Sequence, residues 1–350
     1  MPPTPVQTDA LIIGAGPAGL FLAFELGLLG IASHIVDAQQ HPGGQTSALY
    51  GDKAIYDIPG LPRCTGWELT AGLMEQLVPL HPGMHLGQEV VSLASGDADG
   101  GWRLATSAGT QFHASCVFVA AGVGAFAPRR LKLDRIEALE GVQVHHWQPL
   151  PGSLAGQRVL VVGGDELALD RIDALLADAA PPASITLMHR RAVLQAEPGR
   201  LADFDALRAA GKVAFEVGQV AALQLDGQRL VGVERTGPDG DLPALAVDAI
   251  VVALGLSPRL GALADWGLAL ERKQVPVDPA TFATALPGVF AVGDIVEYRG
   301  KRKLLVSAFH EATLAAFAAA DLLDPQRSQV LQYTSSSSLL QQRLGVSEPR

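Results

Sequence analysis

An apolar strand, a glycine turn and a helix follow one another twice in this chain. No other sequence feature narrows the possible fold as far. The first copy runs Ala10-Leu11-Ile12-Ile13, then Gly14-Ala15-Gly16-Pro17-Ala18-Gly19, then a helical stretch from Leu20 to Leu29. A second strand, Ser33 to Val36, closes it and ends at Asp37. The second copy begins with Arg158 to Val162 and turns at Gly163-Gly164. A helix over Glu166 to Leu176 and a strand over Ser184 to Met188 follow, ending at His189-Arg190-Arg191. Continuous apolar runs of four or five residues suit strands buried on both faces. Two such units, with turns starting at Gly14 and Gly163, predict two nucleotide-binding domains of doubly wound α/β type. Residues 85–116 and 213–255 read as small antiparallel insertions, one for each domain.

Each glycine of the first turn has a physical task. Gly14 permits the tight turn, Gly16 lets the backbone approach a pyrophosphate at the helix N-terminus, and Gly19 lets helix and strand pack closely. Asp37 is placed to accept hydrogen bonds from a ribose diol and to repel a 2′-phosphate. Gly43-Gly44-Gln45 offers a second close backbone approach soon after. Near the far end, Pro287-Gly288-Val289-Phe290-Ala291-Val292-Gly293-Asp294 reads as a strand ending in Gly-Asp, a match for the other half of a flavin site.

The second turn departs from the pattern. After Gly163-Gly164, the close-approach glycine is replaced by Asp165, and Glu166 follows. A carboxylate about 4 Å from a phosphate charge is unfavourable by ~4 kcal/mol at an effective dielectric near 20. Asp165 has an alternative use as a helix N-cap. Against it stand Arg190 and Arg191, which fit a 2′-phosphate through bidentate charge-assisted bonds.

Composition removes several function classes. Hydrophobic residues make up 48% of 350, so the chain has ample material for a core. The net charge of −10 argues against general nucleic-acid or anionic-membrane binding. The two cysteines, Cys64 and Cys116, form neither a CxxC motif nor a metal spacing, and a reducing cytoplasmic setting is expected. The first Lys or Arg is Lys53, so no secretion signal is expected at the N-terminus.

These motifs resemble the two-domain flavoprotein pyridine nucleotide–disulfide oxidoreductases. Within them the chain is most similar to the thioredoxin-reductase-like ferredoxin/flavodoxin–NADP⁺ reductases. The added support is Ala48-Leu49-Tyr50 with Tyr56-Asp57-Ile58-Pro59-Gly60, Ala120-Ala121-Gly122 with Phe126, Ser307-Ala308-Phe309-His310-Glu311-Ala312, and the Ser-rich tail after Tyr333. The resemblance implies two Rossmann-like three-layer domains. An FAD domain would be discontinuous over 1–118 and 285–324, an NADPH domain would cover 119–284, and a tail over 325–350 would cover the flavin of a partner subunit. Residues 117–125 and 281–286 would be hinge strands.

For cofactors, the resemblance implies FAD on Gly14, Gly16, Pro17, Ala18, Gly19, Asp37, Gly44, Gln45, Tyr50, Asp57, Ala121, Gly122, Phe126, Gly293 and Asp294. NADPH would lie on Gly163, Gly164, His189, Arg190 and Arg191. Tyr50 would stack on the flavin, with Tyr333, Thr334 or a nearby Ser on the other face. The implied activity is that of a cytoplasmic, homodimeric 1.18.1-type oxidoreductase. Hydride would pass from NADPH to the flavin, and single electrons would leave to a ferredoxin or flavodoxin. With no dithiol, electrons have to leave the flavin directly. Arg129, Arg130, Lys132 and Arg135, or Arg299, Lys301, Arg302 and Lys303, are candidate docking patches. Two further readings stand beside this one. One is a flavoprotein with a degenerate NADPH site that serves as a redox or binding module, or accepts electrons only from a protein. The other is an NAD(P)H-dependent reductase of small molecules.

Overall fold

The structure is a computed structural model that describes residues 4–49, 51–96, 100–146, 152–326 and 331–346. Its described α-helices are α1 (Pro17–Leu29), α2 (Gly44–Ala48), α3 (Gly66–Leu77), α4 (Glu166–Leu176), α5 (Pro198–Ala209), α6 (Leu305–Leu323) and α7 (Ser338–Arg343). The chain divides into two compact units, one of residues 1–125 with 258–350 and one of residues 126–257.

The first unit is built on a seven-stranded sheet. Strands Gly83–Leu86, Ser33–Asp37, Val6–Ile13 and Gln111–Val119 lie side by side and parallel. The nine-residue strand Gln111–Val119 serves two neighbours. Its first half pairs antiparallel with Trp102–Thr106, which in turn pairs with Val90–Ser95. Its last residues pair parallel with Val289–Ala291. The antiparallel insertion expected over 85–116 is thus an extension of the main sheet.

One face of this sheet is covered by α1, α3 and α6 around Ile12, Ile35, Phe118 and Phe290. Apolar on every side, α1 suits a place between sheet and helix, and Phe21 meets Phe309 of α6 at 5.0 Å. Although α6 is long and apolar enough to cross a membrane, here its alanines 308, 312, 315, 316, 319 and 320 are buried. The other face of the sheet is covered by Leu263, Leu268, Val275 and Ile295.

The second unit has a five-stranded, wholly parallel sheet in the order Val144–His145, Ala249–Ala253, Arg158–Gly163, Ser184–His189, Ala214–Val217. Helices α4 and α5 cover one face around Val161, Ile172 and Leu187. The other face, around Leu160, Met188 and Ile250, is covered by Leu230 and Val233 of a three-stranded antiparallel sheet. Both units are therefore three-layered, as the sequence implies.

The boundaries differ from expectation. The chain crosses between units at 125–126 and 257–258, inside the strands Ala125–Pro128 and Leu256–Arg259. Residues 119–125 and 258–284, expected in the nucleotide domain, belong to the first unit. The first expected hinge, 117–125, ends at the crossing at 125–126, whereas the second, 281–286, lies away from the crossing at 257–258. Residues 117–119 lie inside the main sheet, and 281–286 hold no strand. The tail also forms an ordered element. Ser337 caps α7, Leu340 is buried, and Arg343 donates to the carbonyl of Leu28 at the C-terminal end of α1.

Candidate functional site

Four parallel strands of the first unit end together, and their carboxyl ends build one cradle. Doubly wound sheets place ligands at this edge. The strand Val6–Ile13 delivers Gly14, whose φ of +116° and closeness to the Ala120 carbonyl exclude any side chain. Gly16 caps α1 without a side-chain hydrogen bond, and Pro17 follows at the first helical position. That helix end presents backbone amides to an anion. At the start of α2, Gly44 lies so close that its Cβ would stand 3.0 Å from the Gly16 Cα. Gly122, at φ +59°, adjoins the Gln45 side-chain amide, which a Cβ there would meet in ordinary contact at 3.5 Å. Gln45 donates to the Asp294 carboxylate at 3.1 Å. Gly293, at φ +84°, packs against Ala18.

The structure thus brings Gly14, Gly16, Pro17, Ala18, Gly44, Gln45, Gly122, Gly293 and Asp294 together. Gly19 packs so tightly on the Gly14 carbonyl that a β-carbon there would collide with it. Ala121 accepts from the Gly124 amide in the adjoining turn.

Asp37 needs a closer account. Its Oδ2 accepts from the Ala15 amide at 2.6 Å and its Oδ1 from the Gln39 amide at 2.7 Å. The carboxylate therefore ties the end of its own strand to the glycine turn. Burial raises its pKa, and the two amides oppose that rise. Each oxygen keeps a lone pair for a ribose hydroxyl.

Tyr50 lies outside the described residues. Phe126 belongs to the second unit. Asp57 is exposed in the loop after Ala54–Ile55, where residues 53–57 line a surface hollow. Tyr333 is 65% exposed, and its carbonyl accepts from Ser336 and Ser337. Thr334 offers its carbonyl to Gln341. Both belong to a tail anchored at the end of α1 remote from Gly14, some 20 Å along a 13-residue helix.

The second unit repeats the plan with a difference. Asp165 is the N-cap of α4, its carboxylate accepting from the Ala168 amide at 3.4 Å. Its backbone bridges to Gln195, whose amide donates to the Gly164 carbonyl at 2.8 Å. The His189 ring lies across Gly164, in space a β-carbon would need. Burial, and then the charges of Arg190 and Arg191, hold His189 below its ordinary pKa. Arg190 and Arg191 are exposed. This end carries exposed positive charge at Arg190 and Arg191, and the Asp165 carboxylate is committed to a cap.

Sequence reading quotes Glu311 only within the 307–312 motif and gives it no role. It is wholly buried and accepts from the Gly293 amide at 2.7 Å. The detectable signal is its position on the alanine face of α6, between Ala308 and Ala312.

The model of the pyridine nucleotide-disulphide oxidoreductases matches residues 8–312. The chain belongs to that family. Among curated relatives it is similar to the ferredoxin–NADP reductase of Paracidovorax citrulli, at 51% identity over 97% of both chains. It is 49% identical to that of an Acidovorax species, covering 99% of this chain and 98% of the relative. Solved structures show the same fold. A thioredoxin reductase of T. acidophilum superposes with TM-score 0.60 at 22% identity, covering 91% of this chain and 99% of that one. A bacillithiol disulfide reductase of Staphylococcus aureus gives TM-score 0.63 at 18% identity, covering 92% of this chain and all of the other. The two-cradle plan is therefore that of the pyridine nucleotide-disulphide oxidoreductases.

Proposed function

We propose that this protein is an FAD-dependent oxidoreductase moving electrons between NADPH and a ferredoxin. The observation that carries this is the cradle at the carboxyl edge of the first sheet, in a chain 51% identical to a ferredoxin–NADP reductase. The residues fit the cofactor. An uncapped helix end, the close backbone approach of Gly44 to Gly16, and the Gln45–Asp294 pair suit a pyrophosphate and its polyol. When bound, FAD supplies hydride acceptance and single-electron release.

The protein's residues would hold the cofactor with Gly14 to Gly19, orient it with Asp37, Gln45 and Asp294, and hold the NADPH 2′-phosphate with Arg190 and Arg191. A route through protein thiols finds no support. Cys64 and Cys116 are both buried, and burial first, then Asp9, raises Cys116 to about 12. At neutral pH both stay protonated and poorly nucleophilic.

Ferredoxin docking on Arg299, Arg302 and Lys303, a homodimer in which the tail serves a second copy, and a cytoplasmic setting belong to the same reading. The remote anchorage and exposure of Tyr333 support the shared tail. A second reading, a flavoprotein whose second unit no longer takes nucleotide, draws its support from Asp165 and Glu166. Rapid anaerobic mixing separates the two. Flavin bleaching by NADPH and not NADH, followed by electron delivery to ferredoxin, is expected. Flavin that stays oxidised with both nucleotides yet bleaches with dithionite would leave the second reading standing.

A further inference from the structure

The loop of residues 299–303 reads in the sequence as four surface cations, but the structure separates one of them. Lys301 has a side chain only 4% exposed, and its Nζ lies 2.5 Å from Oε1 of the fully buried Glu311. The same carboxylate oxygen accepts from the Tyr298 hydroxyl at 2.9 Å, and Oε2 accepts from the Gly293 amide at 2.7 Å. One carboxylate therefore ties the Gly293 turn, Tyr298, Lys301 and α6 together.

We propose that Glu311 and Lys301 are positioning residues for FAD: a buried ion pair that fixes the Gly293–Asp294 turn in the geometry that receives the cofactor. The inference rests on the reading of the first unit as an FAD site.

Stability alone does not account for the pair. A buried ion pair is commonly replaceable by apolar side chains of similar volume without loss, whereas its geometry is exacting. Here the exacting part points at the cradle. Gly293 sits at φ +84° against Ala18, and its amide is directed at Glu311. The next residue, Asp294, accepts from Gln45. Rotation of the Gly293 peptide would move both.

Strain accompanies the arrangement. Phe282, buried and bulky, is held at φ +56°, and its carbonyl accepts from Ala291 of the strand that leads into the turn. Tyr298 packs edge-on against it, with centroids 5.5 Å apart. Bulky residues persist in that region where their surroundings over-determine them, and such places cluster at ligand clamps. The Tyr298 hydroxyl is held protonated as a donor, since burial first, then Glu311, raises its pKa to about 12.

The test is FAD affinity, measured by titrating apoprotein with FAD and following the visible flavin bands. Lys301→Met and Glu311→Gln are expected to raise the Kd at least tenfold and to alter the band shape of the saturated protein. Tyr298→Phe, which removes one hydroxyl and keeps the ring, should raise it about threefold. Arg302→Ala and Lys303→Ala, exposed neighbours on the same loop, should leave both readouts unchanged. A merely structural pair would lower the melting temperature of the apoprotein and leave the Kd and bands of folded protein as in wild type. That result overturns the inference. If Lys301→Met and Glu311→Gln do not fold, Tyr298→Phe decides, and wild-type affinity there overturns it equally. Wild-type apoprotein that takes up no FAD overturns the FAD reading itself, and so is distinguishable from failure of the variants alone.

Discussion

At the scale of single residues, Asp165 poses the sharpest question, because one side chain serves two ends. Its carboxylate caps α4 through the Ala168 amide, yet stands where the nucleotide pattern calls for glycine. Charge and capping are separable, since asparagine caps a helix about as well as aspartate does. Asp165→Asn is therefore expected to leave the melting temperature within about a degree. It should tighten NADPH several-fold at low salt, because a like charge near the phosphates is gone. Titration of the oxidised protein with NADP⁺ reads the affinity. Unchanged affinity would place the carboxylate's field outside the phosphate site. The substitution to alanine loses the cap as well and should cost about 1 kcal/mol in unfolding free energy.

At the scale of elements, the most local signals were the most legible. The helix read over Glu166 to Leu176 is where α4 stands, and the one read over Leu20 to Leu29 lacks only the first turn of α1, because apolar strands, glycine turns and caps are short-range requirements. The boundary between units was not legible. Residues 258–284 hold no long helix or strand, and their assignment is decided by Leu263, Leu268 and Val275 packing on the first sheet. Nothing local records such packing. Glu311 was obscured in another way, since Lys301 read as one more surface charge until a carboxylate from ten residues on was seen to bury it.

Two element-level predictions follow from capping and from burial. Thr65 caps α3 through the Glu68 amide while Glu68 reaches back to the Thr65 amide, so Thr65→Ala should cost about 1 kcal/mol in denaturant unfolding. Neighbouring strands bring His34 and His85 together at 2.9 Å beside Phe112. Burial lowers the pKa of both, and for His34 the nearby His85 adds to it. The unfolded chain then takes up protons that the folded one refuses. Stability is unaffected above about pH 6.5 and is lost as pH falls below it. His34→Gln should flatten that loss between pH 6.5 and 5 in thermal melts, and an unchanged slope would put the acid sensitivity elsewhere.

At the scale of the whole molecule, charge sets how a partner can approach. The chain carries −10 overall, so an acidic ferredoxin is repelled by most of its surface. Local cations have to overcome that repulsion. With Lys301 withdrawn to Glu311, the loop before α6 still exposes Arg299, Arg302 and Lys303, with the apolar side chains of Leu304 and Val306 beside them. An apolar centre rimmed by charge suits a transient interface, and complementary charge acts chiefly on the association rate. Arg302→Glu with Lys303→Glu should therefore slow association with ferredoxin about tenfold at 20 mM salt. Near 0.5 M salt the Debye length falls to about 4 Å, and the difference should shrink to less than twofold. NADPH-driven flavin bleaching should be untouched, because neither residue meets the cradle. Stopped-flow mixing of reduced protein with ferredoxin across a salt series measures both rates. Equal slowing at every salt concentration would mean that the loop acts through its shape, and an unaffected rate would move the docking surface to another face.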